Sequence, residues 1–284
     1  MKFNNFMKIL ATAILLCGSC SSETTSGTEP NPPTPVDPPK TYTDPEIVEM
    51  VQKDALKYFW DYAQSNSKLA RERYHTDNPG QDAHVVSTGG SGFGLMTILV
   101  GIKNGYVTRT DAVSRLSTAL NFLQNANRFH GAWPHWMDGN TGNVIPFSTK
   151  DNGGDLVETA FLAQGLICVR EYFKNSSDAT ELAISKKADD LWKGIEWNWY
   201  TQGQNVLYWH WSPNYNFEMN HQLRGFDETL ITYVLAAASP NYAIEKTVYT
   251  EGWARSGAIK TSASQYGIPL IVNHNGANGT VGPM

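Results

Sequence analysis

Helical segments that are apolar on almost every side alternate along this 284-residue chain with helices that are apolar along one stripe only. A helix that is hydrophobic all round must be buried, whereas an amphipathic one lies at a surface. The apolar segments begin near residues 92, 155 and 226, and the amphipathic ones occupy 44–62, 108–126 and 179–197. Short connections follow each apolar helix and long ones precede it. All the long loops therefore gather at one end, beside the N-termini of the buried helices. That pattern predicts an all-α architecture, an (α/α) toroid of helical hairpins, each supplying one outer and one inner helix. Strand-like runs at 206–208 and 268–272 are short and local.

Local signals agree with this outline. Asp44-Pro45-Glu46 reads as a helix start, with a cap, a first-turn proline and an acid at the positive end. Thr108 or Thr110 caps the second outer helix. The run Gly89-Gly90-Ser91-Gly92-Phe93-Gly94 precedes the first apolar helix. It follows no strand and lacks the lysine of a phosphate loop, so it predicts close backbone packing or a snug cleft wall.

The first 43 residues are of another kind. Two lysines precede the apolar stretch from Ile9 to Cys17, which is too short to span a bilayer and reads as a secretory signal. Small residues directly before Cys20 resemble a bacterial lipobox and make Cys20 the expected lipidation site. Residues 21–43 are rich in Ser, Thr, Pro and Gly and form an expected tether. The expected organisation is a signal peptide over 1–20, a linker over 21–43 and a toroid domain over 44–284. The expected location is the cell envelope, lipid-anchored at the outer membrane, periplasmic or surface-exposed. Of three cysteines, Cys168 alone lies in the body, so no disulfide framework is expected there.

The chemistry concentrates at the loop end. The second apolar helix opens Gly153-Gly154-Asp155-Leu156-Val157-Glu158-Thr159. Asp155 and Glu158 share one face, as a capping box or as a reactive pair. The third opens Arg224-Gly225-Phe226-Asp227-Glu228-Thr229, with one acid free to cap and the other to enter the cavity. Loop 127–153 carries Trp133, His135, Trp136 and Asp138, and loop 198–225 carries Trp209, His210 and Trp211. The chain is aromatic-rich, with 9 Trp, 13 Tyr and 11 Phe, and such rings either fill cores or present platforms for sugar faces. Trp133, His135, Trp136, Asp138, Trp209, His210, Trp211 and Asp227 are the candidate substrate-binding residues. Asp155, Glu158 and Glu228 are the candidate catalytic carboxylates. His130, His135, His210 and His221 lie in or beside these loops, but their spacing fits no metal motif, and neither metal nor cofactor is expected. A net charge of −5 offers no basic field for nucleic acid.

Gly94-Leu95, the 130–138 loop with Thr141-Gly142, Asp155-x-x-Glu158-Thr159-Ala160, Trp209-His210-Trp211-Ser212-Pro213 and Gly225-Phe226-Asp227-Glu228 together resemble the bacterial glycoamylase-like family. That family includes glucoamylase-like proteins and endo-β-1,2-glucanases on an (α/α)6 toroid, and the similarity runs over about residues 45–284. It implies inverting hydrolysis of a glucan by a monomer, with Asp155, Glu158 and Glu228 at the cleft and Glu228 as general acid. Family chains continue beyond Gly282-Pro283-Met284, and the resemblance implies a further carboxylate, the base, in that continuation. A second class of function is a non-catalytic surface glycan-binding lipoprotein, which needs the aromatic loops but not carboxylates at two helix starts. A uronate lyase ranks third, because it requires cations to neutralise its substrate and the cleft offers few beyond Arg224.

Overall fold

The computed structural model describes residues 40–260 and 264–269. The chain divides into two compact units, residues 1–42 and 43–284. The leader, Cys20 and residues 21–39 of the tether lie outside the described residues. Among the described residues of the second unit six α-helices dominate: α1 (Asp44–Trp60), α2 (Thr88–Lys103), α3 (Arg109–Asn125), α4 (Leu156–Phe173), α5 (Ala179–Lys193) and α6 (Leu230–Ala238). No described helix is long and apolar enough to cross a membrane.

Helix α4 packs against both α2 and α6, while α1 lies on α2 and α5 lies on α3 and α4. The helices thus form an inner row, α2–α4–α6, and an outer row, α1, α3 and α5. Burial follows the sequence pattern in α3 and α4, whereas α1 buries only Leu56 and leaves Ile47, Met50 and Val51 exposed, and the apolar α2 and α6 leave Phe93, Val100 and Val234 exposed. Helix α3 buries the stripe Ala112, Leu116, Ala119, Leu120 and Leu123. Helix α4 buries Leu156, Val157, Ala160, Leu162, Ala163 and Leu166, which face all round it. Each large apolar side chain removed from water contributes about 1.5–3 kcal/mol. Cys168 is half-buried against this core.

The glycine run belongs to α2 itself. The helix starts at Thr88, with Ser87 Oγ accepting from Gly90 N at 3.2 Å. A Cβ on Gly92 would lie 2.1 Å from the Phe161 carbonyl oxygen, and one on Gly165 would lie 2.4 Å from Gly92 O. The two inner helices therefore touch backbone to backbone, as the run led us to expect.

Other boundaries shift for local reasons. Thr43, not Asp44, caps α1, and the Glu46 carboxylate accepts from its N–H at 2.8 Å and its hydroxyl at 2.9 Å. Helix α5 ends at Lys193, before Gly194. Helix α6 begins at Leu230 and not near 226, because Asp227 Oδ1 takes both the N–H (2.9 Å) and the hydroxyl (2.6 Å) of Thr229. That side-chain turn competes with the first helical hydrogen bonds.

Short ladders join the long loops to the inner helices. Contrary to the expectation that no strand precedes the glycine run, strand β1 (Val85–Ser87) runs straight into α2 and pairs antiparallel with β2 (Trp136–Asp138), which pairs with β3 (Val144–Ile145). Strand β4 (Gly154–Asp155) runs straight into α4 and pairs antiparallel with β5 (His210–Trp211). Loop 127–153 is thereby fixed to the start of α2, and loop 198–225 to the start of α4. Strands β6 (Ser264–Gln265) and β7 (Ile268–Pro269) form a separate hairpin. Residues 206–208 form no strand, although Tyr208 bridges to Gln222.

Candidate active site

The site begins with a buried cap. Asp155 Oδ1 accepts from the N–H groups of Val157 (3.0 Å) and Glu158 (2.9 Å), which satisfies two orphan donors of α4. Its other oxygen, Oδ2, accepts from His135 Nδ1 at 2.9 Å and lies 3.7 Å from His210 Nε2. Asp155 is wholly buried. Asp155 thus caps α4 with one oxygen and holds His135 with the other.

The same His210 Nε2 lies 3.3 Å from Asp151 Oδ2. Sequence reasoning missed Asp151, which is 3% exposed and whose Oδ1 has no hydrogen-bond partner among the described residues. A signal was present in Asp151-Asn152-Gly153-Gly154-Asp155. A Cβ on Gly153 would meet Trp211 O at 2.2 Å, and one on Gly154 would meet the Tyr200 hydroxyl at 2.1 Å. The paired glycines let the chain fold tightly enough to bring both aspartates to one histidine.

Glu158 does not close a capping box. The Asp155 N–H donates instead to Trp133 O at 2.9 Å, and Glu158 reaches across to the neighbouring inner helix. There its Oε2 accepts from Gly89 N at 2.7 Å. Burial pushes the Glu158 carboxyl up to about 7, and the charge of Asp155 adds to the rise. His135 and the Gly89 N–H oppose it without prevailing, and Glu72 contributes a further small rise. His135 moves the other way. Burial disfavours its charged ring, yet the hydrogen bond and charge of Asp155, with Glu158 and Asp151 behind, hold it above the ordinary imidazole value. His135, Asp151 and Asp155 bring ligand-type atoms within 4.8 Å of one another. No spacing rule foretold that grouping. The His135–Asp155 hydrogen bond already engages two of the three.

Other sequence candidates divide by strand geometry. Trp136 is half-buried, with its ring edge-on to His135 (5.7 Å between centroids) and to Phe147 (4.8 Å). Phe147, which sequence reasoning also missed, stacks on His135 at 4.1 Å and is 50% exposed. Trp209 packs against His221 at 4.9 Å. Glu228 is exposed in the turn before α6, not inside its first turn, so it is not the structural equivalent of Glu158. Its carboxyl is nevertheless raised by burial and by Asp227 and Asp155, with His135 opposing, which ties it to the same cluster. Asp227 is committed to Thr229.

One expectation needs correction, and two other candidates have local roles that the sequence did not reveal. Trp133 is fully buried, donates Nε1–H to Leu123 O at 3.0 Å and lies under the Arg128 guanidinium at 4.2 Å. It is core and offers no surface to a ligand. Asp138 Oδ1 accepts from the N–H groups of Asn140 (2.8 Å) and Thr141 (3.0 Å), which fixes the β2–β3 turn. Trp211 turns away from the carboxylates, because successive strand residues face opposite sides. His210, opposite Asp155, faces the acids, while Trp211, opposite Gly154, meets His130 and Trp199.

Outer and inner helices in hairpin order, with buried carboxylates at the N-terminal end of the inner row, define the class of (α/α) toroid proteins. Residues 220–284 match the Glycoamylase family model, described as "Putative glucoamylase". The exo β-1,2-glucooligosaccharide sophorohydrolase (non-reducing end) of Parabacteroides distasonis is 43% identical over 254 residues, covering 88% of this chain and 33% of that protein. An endo-β-1,2-glucanase from Chitinophaga pinensis, solved with sophorotriose and glucose, is 53% identical with a TM-score of 0.81. It covers 84% of this chain, and the match spans 57% of its own. A β-1,2-glucanase from Parabacteroides distasonis is 42% identical with a TM-score of 0.75, over 82% of this chain and 35% of its own. The chain is thus similar over most of its length to proteins of the glycoamylase-like family and spans about a third to just under three-fifths of these relatives' lengths.

Proposed function

We propose that this protein is a glycoside hydrolase acting on a β-1,2-linked glucan, with Glu158 as the group that delivers the proton. The observation that carries this reading is the half-buried Glu158 carboxyl, raised to about 7 beside Asp155 at the loop end of α4. Glycoside hydrolysis needs one carboxyl still protonated near neutrality and one that is ionised. The family resemblance implied the acid's role for Glu228. The exposed turn that carries Glu228 is less suited to hold a proton than the packed start of α4. Asp151, with one buried oxygen that has no hydrogen-bond partner among the described residues, is the candidate second carboxylate, and Asp155 and His135 hold the geometry around it. Phe147 and Trp136 supply the apolar face on which a pyranose ring stacks. The names of the relatives support a β-1,2 linkage, and inversion is the stereochemical course we expect.

The test is reducing-sugar release from β-1,2-, β-1,3- and α-1,4-glucans by the protein and by Glu158→Gln. Release from the β-1,2-glucan alone, lost in the variant, is the expected result. Equal release by the variant would remove Glu158 from the mechanism, and release from another glucan alone would overturn the linkage. We propose further that a lipid on Cys20 ties the protein to the cell envelope. Cys20→Ser should then move it from the membrane fraction to the soluble one.

A further inference from the structure

The face of the β4–β5 ladder opposite the carboxylates carries a second aromatic assembly. Trp199 opens a short 3-10 turn, Trp199–Thr201, just after α5. Its ring stacks on His130, with centroids 3.7 Å apart and planes 13° apart. His130 is itself fixed by Glu196, with Nδ1 to Oε2 at 3.0 Å. Trp211 closes the group edge-on, 4.7 Å from His130 and 6.1 Å from Trp199. The Trp199 ring is thus held in place from one side, yet remains 42% exposed.

That ring lines a cavity of about 600 Å³ together with Phe217, Tyr242, Glu196, Asn198 and Gln202. The turn ends with Gln202 at φ 51° and Gly203 at φ 70°, in left-handed conformations that bend the chain around the cavity. Among the described residues the cavity's lining includes Glu196 and no Lys or Arg, which disfavours an anionic ligand. Aromatic rings beside amide and carboxylate groups match a neutral sugar, whose C–H face stacks while its hydroxyls hydrogen-bond. An aromatic ring immobilised before binding loses little entropy when the ligand arrives.

We infer that this cavity is a second carbohydrate site that holds a neutral glucan chain away from the carboxylates, with Trp199 as its platform. Strand alternation at His210-Trp211 links the two places: His210 lies beside the aspartates, and Trp211 braces the His130–Trp199 stack that borders the cavity. The choice of glucan as ligand rests on the function proposed above, but binding here does not require hydrolysis.

The test is retention of the full chain in native gels containing polymeric β-1,2-glucan, alongside turnover of a β-1,2-linked trisaccharide too short to reach both sites. Trp199→Ala should weaken retention at least five-fold and Gln202→Ala at least two-fold, with trisaccharide turnover unchanged and circular dichroism matching the parent. Unchanged retention in Trp199→Ala would overturn the site. So would an equal fall in retention and turnover, or a parent protein that the polymer does not retain. If the parent turns over no trisaccharide, the hydrolase reading fails, while retention alone still decides the second site.

Discussion

The backbone N–H of Gly89 on α2 donates to Glu158 Oε2 on α4 at 2.7 Å, so the raised carboxyl of one inner helix is held by the N-terminus of its neighbour. A helix N-terminus favours negative charge, and this donor alone would lower the carboxyl's proton affinity. Burial and the adjacent Asp155 outweigh it. The outcome is a carboxyl held in one place by a fixed donor and still protonated near neutral pH. The glycine matters as well, since a Cβ at position 89 would lie 2.7 Å from that same oxygen.

Stability and activity should both report this group. Glu158 titrates at about 7 in the folded protein, against 4.5 for an ordinary glutamate. Because the folded value is raised, its contribution to stability is complete below about pH 4.5 and is lost as the pH rises through about 7. Glu158→Gln should therefore flatten the fall in melting temperature between those limits. As a proton donor, Glu158 should also make kcat/KM fall about ten-fold per pH unit above pH ~7. A pH–rate profile level to pH 9 would remove it from that role.

Asp155 combines two functions that substitution can separate. Asp155→Asn keeps an oxygen for the N–H groups of Val157 and Glu158 but removes the charge facing His135. The His135 titration followed by NMR should move to lower pH, with little loss of helix stability. Asp155→Ala removes the cap too and should cost a further ~1 kcal/mol or more in denaturant unfolding. If His135 titrates unchanged in the Asn variant, Asp155 is not its controlling partner.

The helical architecture was legible because burial on all sides and burial along one stripe leave different marks in sequence. Helix α4 begins one residue from its expected start, and the Gly92–Phe161 contact matches the packing that the glycine run implied. What was not legible depends on distant partners. Asp151 matters because His210, in another loop, lies 3.3 Å away. Glu158 looked like half of a capping box because Gly89 is 69 residues distant in the chain. Trp133 and Trp136 look alike in sequence, and only the packing around α4 and β2 separates them. The side to which Trp211 turns was not legible because the two-residue strand that orients it carries no periodicity of its own.

The two tryptophans of loop 127–153 should respond differently to alanine. Trp133→Ala empties a fully buried site and strands the Leu123 carbonyl, so it should destabilise by about 3–5 kcal/mol. Trp136 is half-buried beside His135 and Phe147, so Trp136→Ala should spare more stability and raise KM. Thermal melts with parallel kinetics distinguish the two. A Trp133→Ala protein that melts like the parent but fails to bind glucan would restore Trp133 to the cleft.

The contact between α2 and α4 sets how close the site's two helices come, and it can be tested away from the chemistry. Gly92 lies one turn below Gly89, and a Cβ there would be 2.1 Å from the Phe161 carbonyl oxygen and 2.7 Å from Leu162 Cα. Both are backbone atoms, so no flexible side chain can yield, and the helices must separate. Gly92→Ala should therefore destabilise by about 1–3 kcal/mol or more through overpacking, against the usual gain of about 1 kcal/mol for alanine over glycine within a helix. Separation of the helices also lengthens the Gly89–Glu158 hydrogen bond, which removes a lowering influence on that carboxyl. The Glu158 titration should then move to higher pH in the same variant. Denaturant unfolding and the pH–rate profile of Gly92→Ala measure both effects. A variant more stable than the parent would show that α2 and α4 do not meet backbone to backbone at this glycine.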